Sequence, residues 1–295
     1  MPGRQTNLRI ASLYAILTSL VASLVAAATK YLTGMMDASV VVCIQYLICL
    51  FTLTPWVAKV GLPGLATQVP RHHLIRGVAG WACFYTYYLA IGNIPLVDAS
   101  LLRNTAPICV PFFAYLLFRN RISLLGMVGI GLGFAGVLFI LKPEGANFSL
   151  WHGIGFLSGI TLAVSMIYTR ELAQSEPSNR ILFYYFLISL LLSTPLALLN
   201  LTAIPLLAWP ALLFVGFSIF ITMKLYNHAY AHAPANSIAP LTYFGVVFAG
   251  LLGWLLWDHV PDAKSLWGMV LIILGGVLAI MAKPATERST AAKSE

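Results

Sequence analysis

Arg103 stands about two turns into an apolar run that extends from Leu96 to Phe118 with Asp98 as its only other charge. A charge inside a membrane costs at least several kcal/mol unless it faces the bundle interior, water or a partner. A guanidinium stays protonated at any relevant pH and offers a fork of donors shaped for a carboxylate or phosphate. Arg103 therefore either recognises substrate or gates its path, or it is structural: paired with Asp98, bonded to carbonyls freed by Pro107, or snorkelling to the outer interface. Lys224 is a second embedded cation and shares a helical face with Asn227, His228 and Phe220. That face either lines a polar cavity or lets the lysine snorkel. Trp81, Tyr85 and Tyr88 recur at helical intervals in one run, and Asn236, Pro240 and Tyr243 in another. Aromatic walls with a few amides and hydroxyls are what a small-molecule site needs. Ser12, Ser19 and Ser23 with Lys30, and Ser158, Thr161 and Ser165 with Tyr168, form hydroxyl stripes that serve helix packing or touch substrate. The candidate substrate-binding residues are thus Arg103, Lys224, Tyr85, Tyr88, Asn236, Tyr243, Ser19 and Ser165.

Absences narrow the chemistry. Asp37, Asp98, Glu144, Glu171, Asp258 and Asp262 all fall at the ends of apolar runs or between them, and no acid stands mid-run. Carriers of lipophilic cations generally need an embedded carboxylate; embedded cations instead favour a substrate with at least one negative charge. Proton coupling would have to use a histidine, a lysine or the substrate's own groups, so exchange or facilitated transport, or coupling through His228, is the expectation. His228 and His232 are four apart, but no Glu or third ligand completes a metalloprotease pattern. No nucleophile elbow, phosphate loop or acid dyad accompanies them, so no catalytic residue, cofactor or metal is expected. Nor is there a channel filter motif or ring of like charge. Cys43, Cys49, Cys83 and Cys109 lie inside apolar runs without zinc spacing and read as small buried hydrophobes.

The elements that must position these residues are membrane helices. Of 295 residues, 60% are hydrophobic and 9% charged, against about 25% charged in a soluble domain. About 20 apolar residues in a helix cross the hydrocarbon core. Spans are expected at 9–30, 38–58, 73–92, 96–118, 123–141, 150–170, 181–200, 208–230, 234–257 and 264–282, with short loops punctuated by Pro63-Gly64, Pro95, Pro143, Pro177, Pro205, Pro234 and Pro261. The first run is too long for a signal-peptide core and is expected to remain as a helix. The net charge of +8 comes from short segments between runs and marks topology, not a nucleic-acid surface. With a cytoplasmic N-terminus, Arg4, Arg9, Lys59, Arg71, Arg76, Arg119, Arg121, Arg170, Arg180, Lys283, Arg288 and Lys293 lie inside, against Lys30, Lys142 and Lys264 outside. The expectation is an inner-membrane protein with both termini cytoplasmic.

The chain also repeats itself. Gly126-Met-Val-Gly-Ile-Gly-Leu-Gly133 matches Gly268-Met-Val-Leu-Ile-Ile-Leu-Gly275 at six of eight positions, and each run exits at Lys-Pro, Lys142-Pro143 and Lys283-Pro284. The octets are five spans apart, and an odd number of spans inverts the second copy in the membrane. Inverted repeats are a signature of alternating-access transporters. With the run from Pro95 to Pro107 and the glycine-rich fifth and tenth spans, the chain resembles the EamA-type branch of the drug/metabolite transporter superfamily from about residue 9 to 283. That resemblance implies an all-α membrane protein of ten transmembrane helices in two inverted five-helix repeats, residues 1–145 and 146–284, with a cytoplasmic tail at 285–295. It also implies a central cavity built mainly from spans 1, 3, 4, 6, 8 and 9, with spans 5 and 10 to one side. The expected function is a secondary transporter, with the lipid bilayer as its medium, that exports a small anionic or zwitterionic metabolite such as an amino-acid derivative or an opine or metallophore-like compound. The alternatives are a broad-specificity drug exporter and an uptake carrier for a nucleotide-like metabolite. A proton or an exchange substrate is the expected coupling partner.

Overall fold

The structure is a computed structural model that describes residues 8–118, 124–141, 149–232, 243–260 and 262–281. Among these residues all regular structure is helical. The helices are α1 (Leu8–Thr33), α2 (Ala38–Thr52), α3 (Thr54–Leu65), α4 (Pro70–Asn93), α5 (Leu96–Arg103), α6 (Ala106–Phe118), α7 (Leu124–Leu141), α8 (Leu150–Leu172), α9 (Ser178–Leu199), α10 (Trp209–His232), α11 (Phe244–Trp257) and α12 (Ala263–Met281). Local chemistry sets several of the boundaries. Asp37 caps α2 by accepting from the Ser39 amide at 2.8 Å, and Ser149 caps α8 by accepting from the Trp151 amide at 3.1 Å. Pro70 opens α4 in its first turn, where a missing N–H costs nothing.

Where the structure describes them, the expected runs fall on helix, with two physical departures. The run 38–58 is broken at Leu53 into α2 and α3, bent by 73°, because Pro55 cannot continue the hydrogen-bond ladder. The run 96–118 is broken at Asn104 and Thr105 between α5 and α6, just before Pro107. Part of the ninth expected span, 234–242, lies outside the described residues, and so do Asn236 and Pro240.

Among the described residues four helices are long and apolar enough to cross a bilayer alone, and five spans result if the bent α2–α3 pair counts as one. Burial is distributed as a membrane solvent demands. Leu13, Phe51, Leu191, Leu198 and Leu255 face outward, while Ser19, Ser23, Gln45, Arg76, Asp98, Ser100, Ser158 and Ser165 are buried. Water outside would reverse that preference. The chain is a multi-pass membrane protein.

The helices pack in defined pairs. α1 packs on α10 and α11, α8 on α4 and on the α5–α6 pair, α2 on α9 and α10, α4 on α9, and α7 on α12. The α7–α12 seam is backbone against backbone: a Cβ on Gly275 would meet Gly129 O and Gly133 N, and a Cβ on Gly136 would meet Gly268 O and Ile272 N. Glycines at this spacing permit such an approach, and all of these except Gly136 belong to the two matched octets.

Candidate functional site

The break between α5 and α6 positions Arg103. The Thr105 hydroxyl turns back to Leu102 O at 2.7 Å, the Asn104 amide side chain donates to Ser100 O at 2.8 Å, and Pro107 has no N–H for the Arg103 carbonyl. Arg103 thus ends α5, and its guanidinium reaches across to α4. The Cζ atom lies 4.8 Å from the Phe84 ring centre and 4.7 Å from that of Tyr87, a double cation–π arrangement. Its Nε is buried without a hydrogen-bond partner, and the Cys83 side chain lies beside it. Asp98 does not compensate this charge. Its Oδ1 accepts from the Ser265 hydroxyl at 2.8 Å, which ties α5 to α12.

A connected aromatic and polar cluster surrounds that point. Tyr87 OH and Ser100 Oγ share a 2.9 Å hydrogen bond, and Tyr88 donates to Gln45 Oε1. Tyr46 and Tyr185 are joined hydroxyl to hydroxyl at 2.7 Å. Arg76, only 6% exposed, stacks its guanidinium 3.9 Å above the Tyr185 ring, and its Nε and Nη1 have no hydrogen-bond partner. The Gln45 Nε2 is likewise buried without one. Preorganised aromatic faces and buried, unspent donors are suited to holding an amphipathic anion.

Of the residues expected from sequence, Arg103 and Tyr88 meet in this cluster. Tyr85 lies alongside on α4, half-buried and stacked on Trp81 with ring centres 5.5 Å apart; the Trp81 indole donates to Ser193 at 3.0 Å. Ser19 and Ser23 face α11: Ser23 donates to Ser19 O and to Gly245 O, both at 2.9 Å. Ser165 is buried in α8, where its carbonyl accepts from Thr169. Tyr243 packs against α12 and points its hydroxyl at Ile272 O, 3.4 Å away. Lys224 is exposed, with its ammonium 4.7 Å over the Phe220 ring. The His228 side chain lies outside the described residues.

Sequence reasoning assigned Arg76 to topology and passed over Gln45, Tyr46, Tyr87 and Tyr185. One signal was available: Arg76, Gly80, Cys83 and Tyr87 recur at alternating four and three residues, which places them on one face of α4.

The two ends of the bundle carry different networks. At the start of α4, Glu176 accepts from Thr67 at 2.5 Å and from Arg180 at 2.6 Å. His73 Nε2 lies 3.8 Å from the same carboxylate. Arg180 Nε also donates to Gly64 O at 2.9 Å and Tyr184 OH to Leu65 O at 2.8 Å. Burial alone would raise the Glu176 pKa, but the Thr67 hydroxyl and Arg180 outweigh it and hold the carboxyl below its ordinary range. At the other end of α4, about 36 Å along its axis by the rise of an α-helix, Lys30 donates to Ile91 O at 3.1 Å and Ile94 O at 2.9 Å. There a cavity of about 370 Å³ is lined by Lys30, Asn93, Ile94, Trp257 and His259 among others. Burial and the charge of Lys30 lower the pKa of His259. A second cavity, about 520 Å³ and mostly apolar, runs along α1, α10 and α11 past Tyr31, Phe214, Leu252 and Trp257. Among the described residues no cluster of His, Cys, Asp or Glu could hold a metal ion.

A helical membrane protein with a polar, aromatic interior fits the class of small-molecule carriers. The comparisons with known proteins agree. The EamA-like transporter family model matches residues 9–142 and again 149–281, and the chain belongs to that family. It is 30% identical over 265 residues to a pseudopaline exporter of Pseudomonas aeruginosa, covering 89% of this chain and 93% of that one. It is 26% identical to an S-adenosylmethionine uptake transporter of Rickettsia bellii, over 83% of this chain and 84% of that protein. A riboflavin transporter of Rhizobium johnstonii is also 26% identical, over 92% and 91%. One solved crystal structure shares the fold with a TM-score of 0.62 at 18% identity, covering 94% of this chain and 98% of its own. The chain is a small-molecule transporter of the membrane.

Proposed function

We propose that this protein is a ten-helix secondary transporter that exports a small anionic or zwitterionic metabolite by alternating access, from two inverted five-helix repeats at 1–145 and 146–284. Its place is the inner membrane, with both termini cytoplasmic. The observation that carries the substrate class is the Arg103 guanidinium: embedded, cradled by Phe84 and Tyr87, its Nε unpartnered, and the one nearby acid, Asp98, engaged elsewhere. A charge in that position is compensated most fully by a ligand carboxylate, which accepts from the fork in pairs.

The packing supports the repeat. Counting α2–α3 and α5–α6 each as one span, a shift of five spans turns the contact of span 1 with 8 into 6 with 3, of 1 with 9 into 6 with 4, and of 2 with 8 into 7 with 3. It maps the 2–7 and 5–10 contacts onto themselves. Two matches of one family model along the chain support the same reading. Export accords with the pseudopaline exporter among the relatives; an uptake carrier for a nucleotide-like metabolite is the alternative that the S-adenosylmethionine uptake transporter favours. The apolar cavity along α1, α10 and α11 favours a broad drug exporter as the remaining alternative.

The test is counterflow in proteoliposomes with amino-acid-derived carboxylates and their neutral amides. Saturable counterflow of carboxylates, lost in Arg103→Ala protein that still folds and inserts, is the expected result. Equal counterflow of acids and amides, unchanged in Arg103→Ala, refutes the anionic reading and leaves the drug exporter.

A further inference from the structure

Arg103 has a counterpart on the same wall. Arg76 is more deeply buried than Arg103, and two of its guanidinium nitrogens, Nε and Nη1, lack hydrogen-bond partners. Its one described aromatic contact is the Tyr185 face, which offers a quadrupole but no acceptor for N–H groups in the guanidinium plane. The acid nearest its end of α4, Glu176, is occupied by Thr67 and Arg180 and faces His73. Among the described residues no ion pair is recorded for either Arg76 or Arg103. Neither charge meets an anionic partner among them, and each carries a desolvation penalty that the aromatic contacts offset only in part.

Their placement gives the pair a spacing. The Arg76 guanidinium folds up along α4 over Gly80, where any Cβ would run into its Nη1 and the Tyr185 ring. The Arg103 guanidinium lies over Phe84 and Tyr87. From Gly80 to Phe84 and Tyr87 is four to seven residues, so the two charges are on the order of 6–10 Å apart along the helix axis at ~1.5 Å per residue. Cys83 lies between them and interacts with both. Gly80 is thus the feature that lets the second guanidinium turn toward the first.

We infer that Arg76 and Arg103 form a two-point anion site, and that the transported molecule carries two negative groups, one held by each guanidinium. This rests on the anionic reading of Arg103 and adds Arg76 as a residue that sets specificity. A substrate with a single carboxylate leaves Arg76 uncompensated. One with two carboxylates a few ångströms apart satisfies both forks and places its backbone against Tyr87 and Tyr185.

Binding to the full-length purified protein in detergent tests this without knowledge of the natural substrate. The probes are adipate and glutarate, each against its own monoamide at equal ionic strength, with dissociation constants from titration calorimetry or ligand-induced thermal shift. Wild type should bind each diacid about tenfold or more tightly than its monoamide, the worth of one added charge-assisted contact. Arg76→Gln should remove that preference by weakening the diacid far more than the monoamide, whereas Arg103→Gln should weaken both ligands. Should Arg76→Gln fail to fold, Arg76→Lys keeps the charge without the fork and should reduce the preference severalfold. Equal affinity of diacid and monoamide for wild type, a preference that survives in Arg76→Gln, or one undiminished in Arg76→Lys overturns the two-point site and leaves the single-anion reading standing. If neither acid binds, or Arg103→Gln binds both as wild type does, the anionic reading itself falls and the two-point site with it.

Discussion

Glu176→Gln should loosen one end of the bundle without unfolding it. The Glu176 side chain is 4% exposed and links the first matched segment, through Thr67 and His73, to Arg180 on α9. Glutamine keeps the volume and one accepting oxygen, but its amide presents donors to a guanidinium that has none to accept them. Losing a hydrogen bond to a charged group costs about 1.5–3 kcal/mol; about 2 kcal/mol favours the parted state roughly thirtyfold. Parting this end separates α4 from α9, where Gly77 and Gly80 now abut Ile188 and Tyr185, and uncovers Cys83 one turn further along that face. The assay is the alkylation rate of Cys83 by N-ethylmaleimide in protein whose other three cysteines are replaced. Glu176→Gln should raise the rate by about thirtyfold, Arg180→Gln comparably, and the double variant by much less than the product, because both break one contact. The pH dependence follows in sign. The carboxyl is held below its ordinary value of 4.5, so the link is intact above that value and lost as pH falls through the lower folded value. The ratio of variant to wild-type rates should therefore be flat from neutral pH to 4.5 and approach one below it. An unchanged Cys83 rate in folded Glu176→Gln refutes the link.

Three more outcomes follow. Gly275→Leu should lower the melting temperature in detergent and cost about 1–3 kcal/mol or more, since the side chain must enter where Gly129 and Gly133 backbone atoms already stand; an unchanged melting temperature would mean the α7–α12 seam is not close-packed. Arg103→Lys should transport more weakly than wild type yet better than Arg103→Ala, because the charge stays and the fork is lost; counterflow kinetics of the three proteins check the order. The pKa of His259 is lowered in the folded protein from its ordinary 6.5, so the folded state binds fewer protons and stability declines as pH falls through 6.5. Melting curves of His259→Gln should show that decline reduced.

The helices were legible because their apolar runs are long and bounded by proline and glycine, and Lys-Pro exits marked both copies of the octet. The α2–α3 break was less so: Pro55 is visible in the sequence, but a single proline is tolerated in many membrane helices, and the bend depends on what packs around it. Arg103 stood out by cost alone. Arg76 did not, because a basic residue near a span end is the usual topology signal, and only the packing of Gly80 against Tyr185 shows that its side chain turns inward. The serine stripes show the same limit from the other side: Ser23 spends its hydroxyl on the Ser19 and Gly245 carbonyls, a packing role that spacing alone does not separate from a substrate contact.

The break at Asn104 and Thr105 explains how a guanidinium is tolerated there before any ligand arrives. Because α5 ends at Arg103, the charge sits at the carbonyl end of a helix, where a cation is favoured by about 0.3–1 kcal/mol. Two aromatic faces add about 0.5–2 kcal/mol each when desolvated. α8 holds the broken backbone from behind: any Cβ on Gly159 would strike the Thr105 hydroxyl and Leu102 O, so a larger residue at 159 would push α8 off the break and shift α5 with it. The charge, the chain break and the close approach of α8 are one structural unit. Helix end and aromatic rings offset part of the desolvation penalty, and neither supplies an acceptor for Nε. That remaining donor lies on the segment where the span is already interrupted.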